Sequence, residues 1–266
     1  MTSSTQSKSH SRSAVILAAG KGTRMKSDLP KVMHPACGAP MVQWVVDAAR
    51  AVHCSPIVLV VGHGAHLVRA HFEGQSDIEF VMQSPQFGTG HAVDQARPVF
   101  ARGRMGDETL VLCGDGPLIR PGTLETLLDT HRESQASATL ATAMLDDATG
   151  YGRIERDANG QFLRIVEQKD ATPAQLAIRE VNPSYYCFRT EHLFDALTRV
   201  TNQNASGEYY ITDVFELLLR SGRRVSVVDA VPPEDVLSVN TPEQLDEVDR
   251  VLRARTPGAA TAGGRA

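Results

Sequence analysis

Cysteine is scarce in this chain. Cys37, Cys54, Cys113 and Cys187 are the only four in 266 residues, widely spaced and without a C-x-x-C pair. That usage fits buried free thiols in a reducing compartment. Nor is there an excess of positive charge. The 27 Lys and Arg face 31 Asp and Glu, for a formal net charge of −4, which gives no reason to expect nucleic acid or an anionic membrane as partner. Long hydrophobic runs are missing too. None approaches the ~18 residues of a membrane span, and residues 1–13 lack the apolar core of a secretory signal. A cytoplasmic location is the expectation. His63, His66 and His71 fall on one stretch, but no cysteine or carboxylate nearby completes a metal site, so the start of a solvated helix is the expected reading.

Both common phosphate-loop signatures are also missing. Leu17-Ala18-Ala19-Gly20-Lys21-Gly22-Thr23-Arg24-Met25 follows the apolar run Ala14–Leu17, and Lys31 comes six residues later. A Walker loop would need its lysine after the second glycine, whereas Lys21 lies between the two. The dinucleotide fingerprint fails at Met25. What remains is a small-residue loop after a strand, with exposed N–H groups and cations beside them. A polyphosphate suits such a loop, and so does an ordinary surface turn.

Composition is that of a globular protein, 42% hydrophobic and 22% charged. Residues 1–13 are polar and predicted to form a disordered tail; residues 256–266 read as a flexible one. Between them the periodicity alternates. Strands are expected at 14–17, 56–61, 78–82, 109–112 and 136–144. Helices are expected at 41–52, after Pro40, at about 64–72, from near Thr89, and around Leu124, Leu127, Leu128 and His131. The run Ile57–Val61 is apolar throughout, as in a strand covered on both faces. This alternation predicts an α/β fold with a doubly wound, mostly parallel Rossmann-like sheet and ligands beyond the carboxyl ends of its strands. After about 146 the pattern changes. Asp157-Ala158-Asn159-Gly160 between 153–156 and 162–166 predicts a hairpin. A helix near 173–178, a strand near 180–188, helices near 190–200 and 211–220 and a strand at 224–228 follow. Thr241, Pro242 and Gln244 open a last helix with a capping box.

Several polar residues carry two readings each. Asp115, in Gly114-Asp115-Gly116-Pro117, is either an Asx-turn residue or a carboxylate that holds Mg²⁺ beside phosphate oxygens. Asn240 is either part of the helix cap or a neutral oxygen ligand to the same cation. Gln83, Gln86, Gly88, Thr89 and Gly90 form either a helix start capped by Thr89 or a segment that reads a nucleobase edge. Glu167 by itself reads as a solvated hairpin charge.

Taken in order, these segments resemble the sugar-1-phosphate nucleotidyltransferases. The loop from Leu17 to Met25 with Lys31 is similar to that family's signature. Gln83-x-x-Gln86-Phe87-Gly88-Thr89-Gly90-His91-Ala92, Gly114-Asp115, Gly150-Tyr151-Gly152-Arg153-Ile154, Ile165–Thr172 and Gly207-Glu208-Tyr209-Tyr210-Ile211-Thr212-Asp213 extend the likeness over about 14–252. The last two are similar to the uridyltransferase branch that acts on N-acetylglucosamine-1-phosphate. The resemblance implies a nucleotide-diphospho-sugar transferase fold over 14–255, with 14–145 binding the nucleotide and the hairpin-containing extension 146–255 binding the sugar. It implies that Ala19, Gly20, Gln83 and Gly88, with Thr89 nearby, hold uracil. Arg24 and Lys31 would be the catalytic cations on the phosphates, Asp115 and Asn240 would hold Mg²⁺, and Gly152, Glu167 and Asn182 the sugar. The implied substrates are UTP and N-acetylglucosamine-1-phosphate, with a monomer or weak homo-oligomer as the assembly.

The chain departs from that pattern in three places. Cys113 stands where the family commonly has tyrosine. Pro183-Ser184-Tyr185-Tyr186 replaces a Thr-Gly-aliphatic run after Asn182. The hexapeptide repeats of the family's acetyltransferase domain are not found in these 266 residues, so acetyl transfer is not expected. Three other readings stay open. The first is a nucleotidyltransferase for another sugar or triphosphate. The second is a molybdenum-cofactor nucleotidyltransferase, which should lack the Gly207–Asp213 segment. The third is a non-catalytic sugar-nucleotide-binding protein.

Overall fold

The structure, a computed structural model, describes residues 11–255. Strand β1 (Arg12–Ala18) is its centre. Ala14 and Ile16 point to one face and Val15 to the other, and all three are fully buried, as strand alternation between two covered faces requires. The expected tails lie outside the described residues, except that β1 starts at Arg12 rather than Ala14. The Ser13 hydroxyl is buried there, 2.9 Å from the Thr109 hydroxyl, so a polar residue joins the strand because its hydroxyl is satisfied inside.

After β1 the chain makes 3₁₀ turns at Thr23–Met25 and Lys31–Met33, then a small ribbon of β2 (Pro35–Ala36) and β3 (Ala39–Pro40). The sequence pattern had predicted none of these short pieces. Helix α1 (Met41–Ala51), β4 (Ile57–Val61), α2 (Ala65–His71) and β5 (Ile78–Met82) follow. The helix expected from Thr89 is two short ones, α3 (Thr89–Asp94) and α4 (Arg97–Ala101). Next come β6 (Glu108–Cys113), α5 (Pro121–Glu133), β7 (Ala138–Met144), the hairpin β8 (Gly152–Arg156) and β9 (Phe162–Val166), then α6 (Pro173–Leu176) and β10 (Glu180–Arg189). The chain closes with α7 (Thr190–Leu197), α8 (Asp213–Arg220), β11 (Val225–Asp229) and α9 (Pro242–Arg255).

The sheet order is β11-β7-β10-β6-β1-β4-β5, with β8 and β9 attached beside β10. Strands β5, β4, β1 and β6 pair in parallel, and β11 is parallel to β7. Strand β10 opposes β6 and β7, and it also pairs antiparallel with β8, as β8 does with β9. Helices cover both faces, as in a doubly wound sheet. Helices α1, α2 and α5 pack Val42, Val68 and Leu127 against Ile16 and Leu59. On the other face α3, α7 and α8 pack Val93, Phe194 and Phe215 against Val15 and Val60. Helix α9 joins a third cluster through Val248 and Leu252, which hold Met25 and Met41. The last helix thereby anchors the loop after the first strand. Among the described residues no helix is long and apolar enough to cross a membrane.

Candidate functional site

The loops after β1, β4, β5 and β6 all leave the same edge of the sheet, because those strands are parallel. Gly114 N–H donates to Leu17 O at 2.9 Å, which ties the β6 loop to the β1 loop. Two cavities open at this edge, of about 330 Å³ and about 320 Å³. They share Leu17, Thr89 and Cys113 as walls. One takes in Ala19, Gly20, Lys31, Gln83, Gly88 and Asp115. The other takes in Arg24, Gly152, Glu167, Asn182 and Asn240. Every residue to which the resemblance gave a role therefore lines one of two adjoining chambers, and Thr89 lines both.

Asn240 connects the chambers. Its Oδ1 accepts from Arg24 Nη2 at 2.8 Å and from Lys31 Nζ at 3.1 Å. Lys31 Nζ also pairs with Asp115 Oδ2. The capping reading of this turn belongs to its neighbours. Thr241 Oγ1 accepts from Gln244 N at 3.4 Å, while Gln244 Oε1 accepts from the backbone N–H of Asn240 at 2.7 Å. The Asn240 side chain is thus left to face the cations. Gly22 sets the loop's course, with a φ of +63°. A Cβ there would lie 2.6 Å from Lys31 Cβ, so a glycine is required both by the left-handed backbone and by the lysine packed against it.

A divalent cation fits these residues. Among the described residues no cluster of three or more His, Cys, Asp or Glu could hold a metal, so a wholly protein-built cage is not on offer. Yet the carboxylate of Asp115 and the amide oxygen of Asn240 already converge on one cationic group, Lys31 Nζ. One carboxylate plus a neutral oxygen is the sparse set on which Mg²⁺ relies when phosphates and waters complete its shell.

In the first chamber Gln86 Nε2 donates to Ala19 O, and Gln83 Nε2 to Gly88 O at 2.9 Å. Gly88 has a φ of +109°, and a Cβ on it would lie 2.6 Å from Tyr209 O. This close approach seats Gly207–Asp213 against the loop after β5. Thr89 is not the cap that one reading expected. Gly88 holds the N-cap position, and Thr89 Oγ1 accepts from Ile211 N at 3.0 Å.

The second chamber is walled by the hairpin and β10. Asn182 Nδ2 donates to the Tyr186 hydroxyl at 2.7 Å, and its Oδ1 accepts from Ser184 N at 3.0 Å. Glu167 is not a solvated hairpin charge. Burial raises its carboxyl above the usual range, although the Thr212 hydroxyl donates to its Oε1 at 2.9 Å. A Cβ at Gly152 would sit 3.6 Å from both Asn182 Cβ and Glu167 Oε2, so its absence keeps that wall open. Burial, with Asp115 nearby, pushes the Cys113 thiol up to about 12, which keeps it protonated and unsuited to nucleophilic work. Sequence reasoning gave neither Tyr186 nor Thr212 a role of its own; Tyr186 acts by holding Asn182, four residues before it on β10, and Thr212 by holding Glu167, 45 positions away.

A profile of the MobA-like NTP transferase domain matches residues 14–213. The chain belongs to that family. It is a nucleotidyltransferase. The matched stretch ends at Asp213 and includes Gly207–Asp213. Over 242 residues the chain is 50% identical to "Bifunctional protein GlmU" of Geobacter metallireducens, covering 91% of this chain and 50% of that protein. The protein of the same name from Brevibacillus brevis is also 50% identical, over 91% of this chain and 52% of its own length. This nucleotidyltransferase thus spans about half the length of the curated relatives it matches. Among solved structures, a UDP-glucose pyrophosphorylase complexed with UDP-glucose superposes with a TM-score of 0.75. It is 17% identical and covers 92% of this chain and 99% of its own. The fold is therefore that of the nucleotide-diphospho-sugar transferases, as the sequence had led us to expect.

Proposed function

We propose that this domain transfers a uridylyl group from UTP to N-acetylglucosamine-1-phosphate, giving UDP-N-acetylglucosamine and pyrophosphate. The observation that carries the reading is the pair of adjoining chambers, with Arg24 and Lys31 held on Asn240 at their junction. The uridine would lie against Ala19, Gly20, Gln83 and Gly88, and the sugar against Gly152, Glu167 and Asn182. The triphosphate and the sugar phosphate then meet beside the cations.

A phosphate oxygen of the sugar phosphate attacks the α-phosphorus. The new O–P bond forms as the bond to the bridging oxygen of pyrophosphate breaks. The nucleophile is already an anion, so no general base is required. The obstacle is repulsion between two polyanions, which Arg24 and Lys31 offset while stabilising charge on the transition state. Alignment in two fixed chambers removes more of the barrier, at the extreme ~7–11 kcal/mol. Mg²⁺ held by Asp115 and Asn240 would supply further charge neutralisation at the phosphates. Cys54 and Cys187, free and buried, suit a reducing compartment such as the cytosol.

The test is pyrophosphate release from UTP with Mg²⁺, with and without N-acetylglucosamine-1-phosphate, alongside a panel of other triphosphates and sugar phosphates. Release that depends on both substrates supports the reading. Faster release with another base or sugar would reassign the substrate. No release with any pair would leave a binding protein.

A further inference from the structure

Lys31 Nζ lies where two oxygens meet. It donates to Asn240 Oδ1 at 3.1 Å and pairs with Asp115 Oδ2. Both side chains of that ion pair are largely buried, at 16% and 17% exposure. The Asn240 amide has one orientation. Its Nδ2 donates to Ser238 O at 3.3 Å, and a backbone carbonyl can only accept. Arg24 and Lys31 can only donate, so Oδ1 faces both of them.

The two oxygens are held in place without the lysine. Val239 N donates to Asp115 O at 3.0 Å, which joins the turn after β6 to the turn that carries Asn240. Gln244 Oε1 accepts from Asn240 N at 2.7 Å. Lys31 reaches both oxygens on a flexible four-carbon stem from the 3₁₀ turn Lys31–Met33. Its ammonium can swing away while its backbone stays. Arg24 differs, since among the described residues it reaches Asn240 but makes no ion pair with Asp115.

These are the same two oxygens assigned above to a divalent cation. An ammonium and a divalent ion on both at once would crowd like charges onto a single carboxylate, with Arg24 close by. An added anion relieves that repulsion. Phosphate oxygens supply it, and a lysine ammonium is a compact charge that suits them.

We propose that Lys31 is the resident cation of Asp115 and Asn240, and that it yields them to a divalent ion only when nucleotide phosphate takes up its ammonium. Metal and nucleotide then bind cooperatively, and the protein without nucleotide holds metal weakly. The proposal rests on the metal assignment made for the uridylyl-transfer reading.

It is tested with Mn²⁺ as probe, its binding to the full chain read from the loss of the free-ion electron paramagnetic resonance signal, in wild type, Lys31→Met and Arg24→Met. Methionine keeps most of the stem and drops the charge. Without nucleotide, Lys31→Met is expected to bind Mn²⁺ about tenfold more tightly than wild type. Arg24→Met removes the same charge from the same Oδ1 and should gain less than about threefold. Saturating UMP, whose lone phosphate holds free Mn²⁺ poorly, should close the gap between wild type and Lys31→Met to under about threefold, because phosphate has then drawn Lys31 away.

Equal affinity in wild type and Lys31→Met overturns the proposal. So does an equal gain in Arg24→Met, or a gap that none of UMP, CMP, AMP and GMP narrows, since the lysine would then act only as background charge. If Lys31→Met does not fold, Lys31→Ala carries the same comparison. Binding that Asp115→Asn leaves unaltered would refute the metal assignment, and the proposal with it. A gap closed by another of these nucleotides and not by UMP would refute the uridylyl reading while the exchange stands.

Discussion

Asn240 Oδ1 accepts from Arg24 Nη2 at 2.8 Å, which joins the loop after β1 to the start of α9 across 216 positions of sequence. Lys31 shares that oxygen at 3.1 Å. The two cations thus share one neutral acceptor, and Lys31 is held as well by the Asp115 carboxylate. Removing the guanidinium with Arg24→Ala is expected to cut turnover about a hundredfold. Asn240→Ala should cost less, since both cations remain. Steady-state rates at saturating Mg²⁺ test both, and wild-type turnover in Arg24→Ala would remove its assigned role.

Asp115→Asn tests the metal assignment. It keeps an oxygen at the position but drops the charge, and it releases Lys31 from its ion pair. The Mg²⁺ concentration for half-maximal rate should rise, with a smaller change at saturating metal. A Mg²⁺ titration of initial rates reads this directly, and an unshifted midpoint would count against Asp115 as a ligand.

Gly22→Ala places a methyl group 2.6 Å from Lys31 Cβ and puts alanine at a φ of +63°. The backbone strain alone costs about 1–3 kcal/mol, and the lysine must move. Lower thermal stability and a higher KM for the triphosphate are expected together. A variant that melted earlier with unchanged KM would show that the displacement of Lys31 does not matter.

Asp213 begins α8, and burial beside Glu216, Glu167 and Asp170 pushes its carboxyl up to about 6. Its unfolded value is about 3.9. The folded state therefore binds the proton more tightly. This stabilising share is full below about pH 4 and lost as pH rises through about 6. Asp213→Asn should melt above wild type at pH 7.5 and lose that advantage by pH 4. Each kcal/mol shifts Tm by about 2–4 °C in a domain of this size. Parallel melting curves across that range would argue against the burial effect.

Asp235 is 1% exposed and receives Arg120 Nη2 at 3.0 Å as well as Arg255 Nη2. It clamps the entry to α5 and the end of α9, the helix that holds Met25. Breaking a buried charge cluster on one side leaves its partners uncompensated, at about 3–5 kcal/mol. Urea unfolding of Asp235→Ala should show a loss of that order. A loss under about 1 kcal/mol would mean that water replaces the carboxylate.

Local pattern was enough for most elements. Ile57–Val61 read as a doubly covered strand because every residue in it is apolar, and the Asn159-Gly160 turn read as a hairpin because few other residues adopt that geometry. The break between α3 and α4 is marked by Pro98, in the first turn of α4, a signal that the reading of one helix from Thr89 passed over. The 3₁₀ turns near Lys31 are too short to leave a period. Glu167 looked like a surface charge because Gln168, Lys169 and Asp170 follow it; in the fold it lines a chamber and takes a hydrogen bond from Thr212, 45 positions away.

By itself the sequence determined the alternating elements, the cationic small-residue loop and the identity of the residues around the site. Strand period, turn chemistry and residue type are local properties that a linear string carries. Only the tertiary structure decided that β10 runs backwards between β6 and β7 and brings Asn182 beside Glu167. Only it decided that the side chain of Asn240 serves Arg24 and Lys31 rather than the helix cap. Those relationships depend on strand order and on which groups are left unpaired once the chain is packed, and neither is written in the spacing of residues along it.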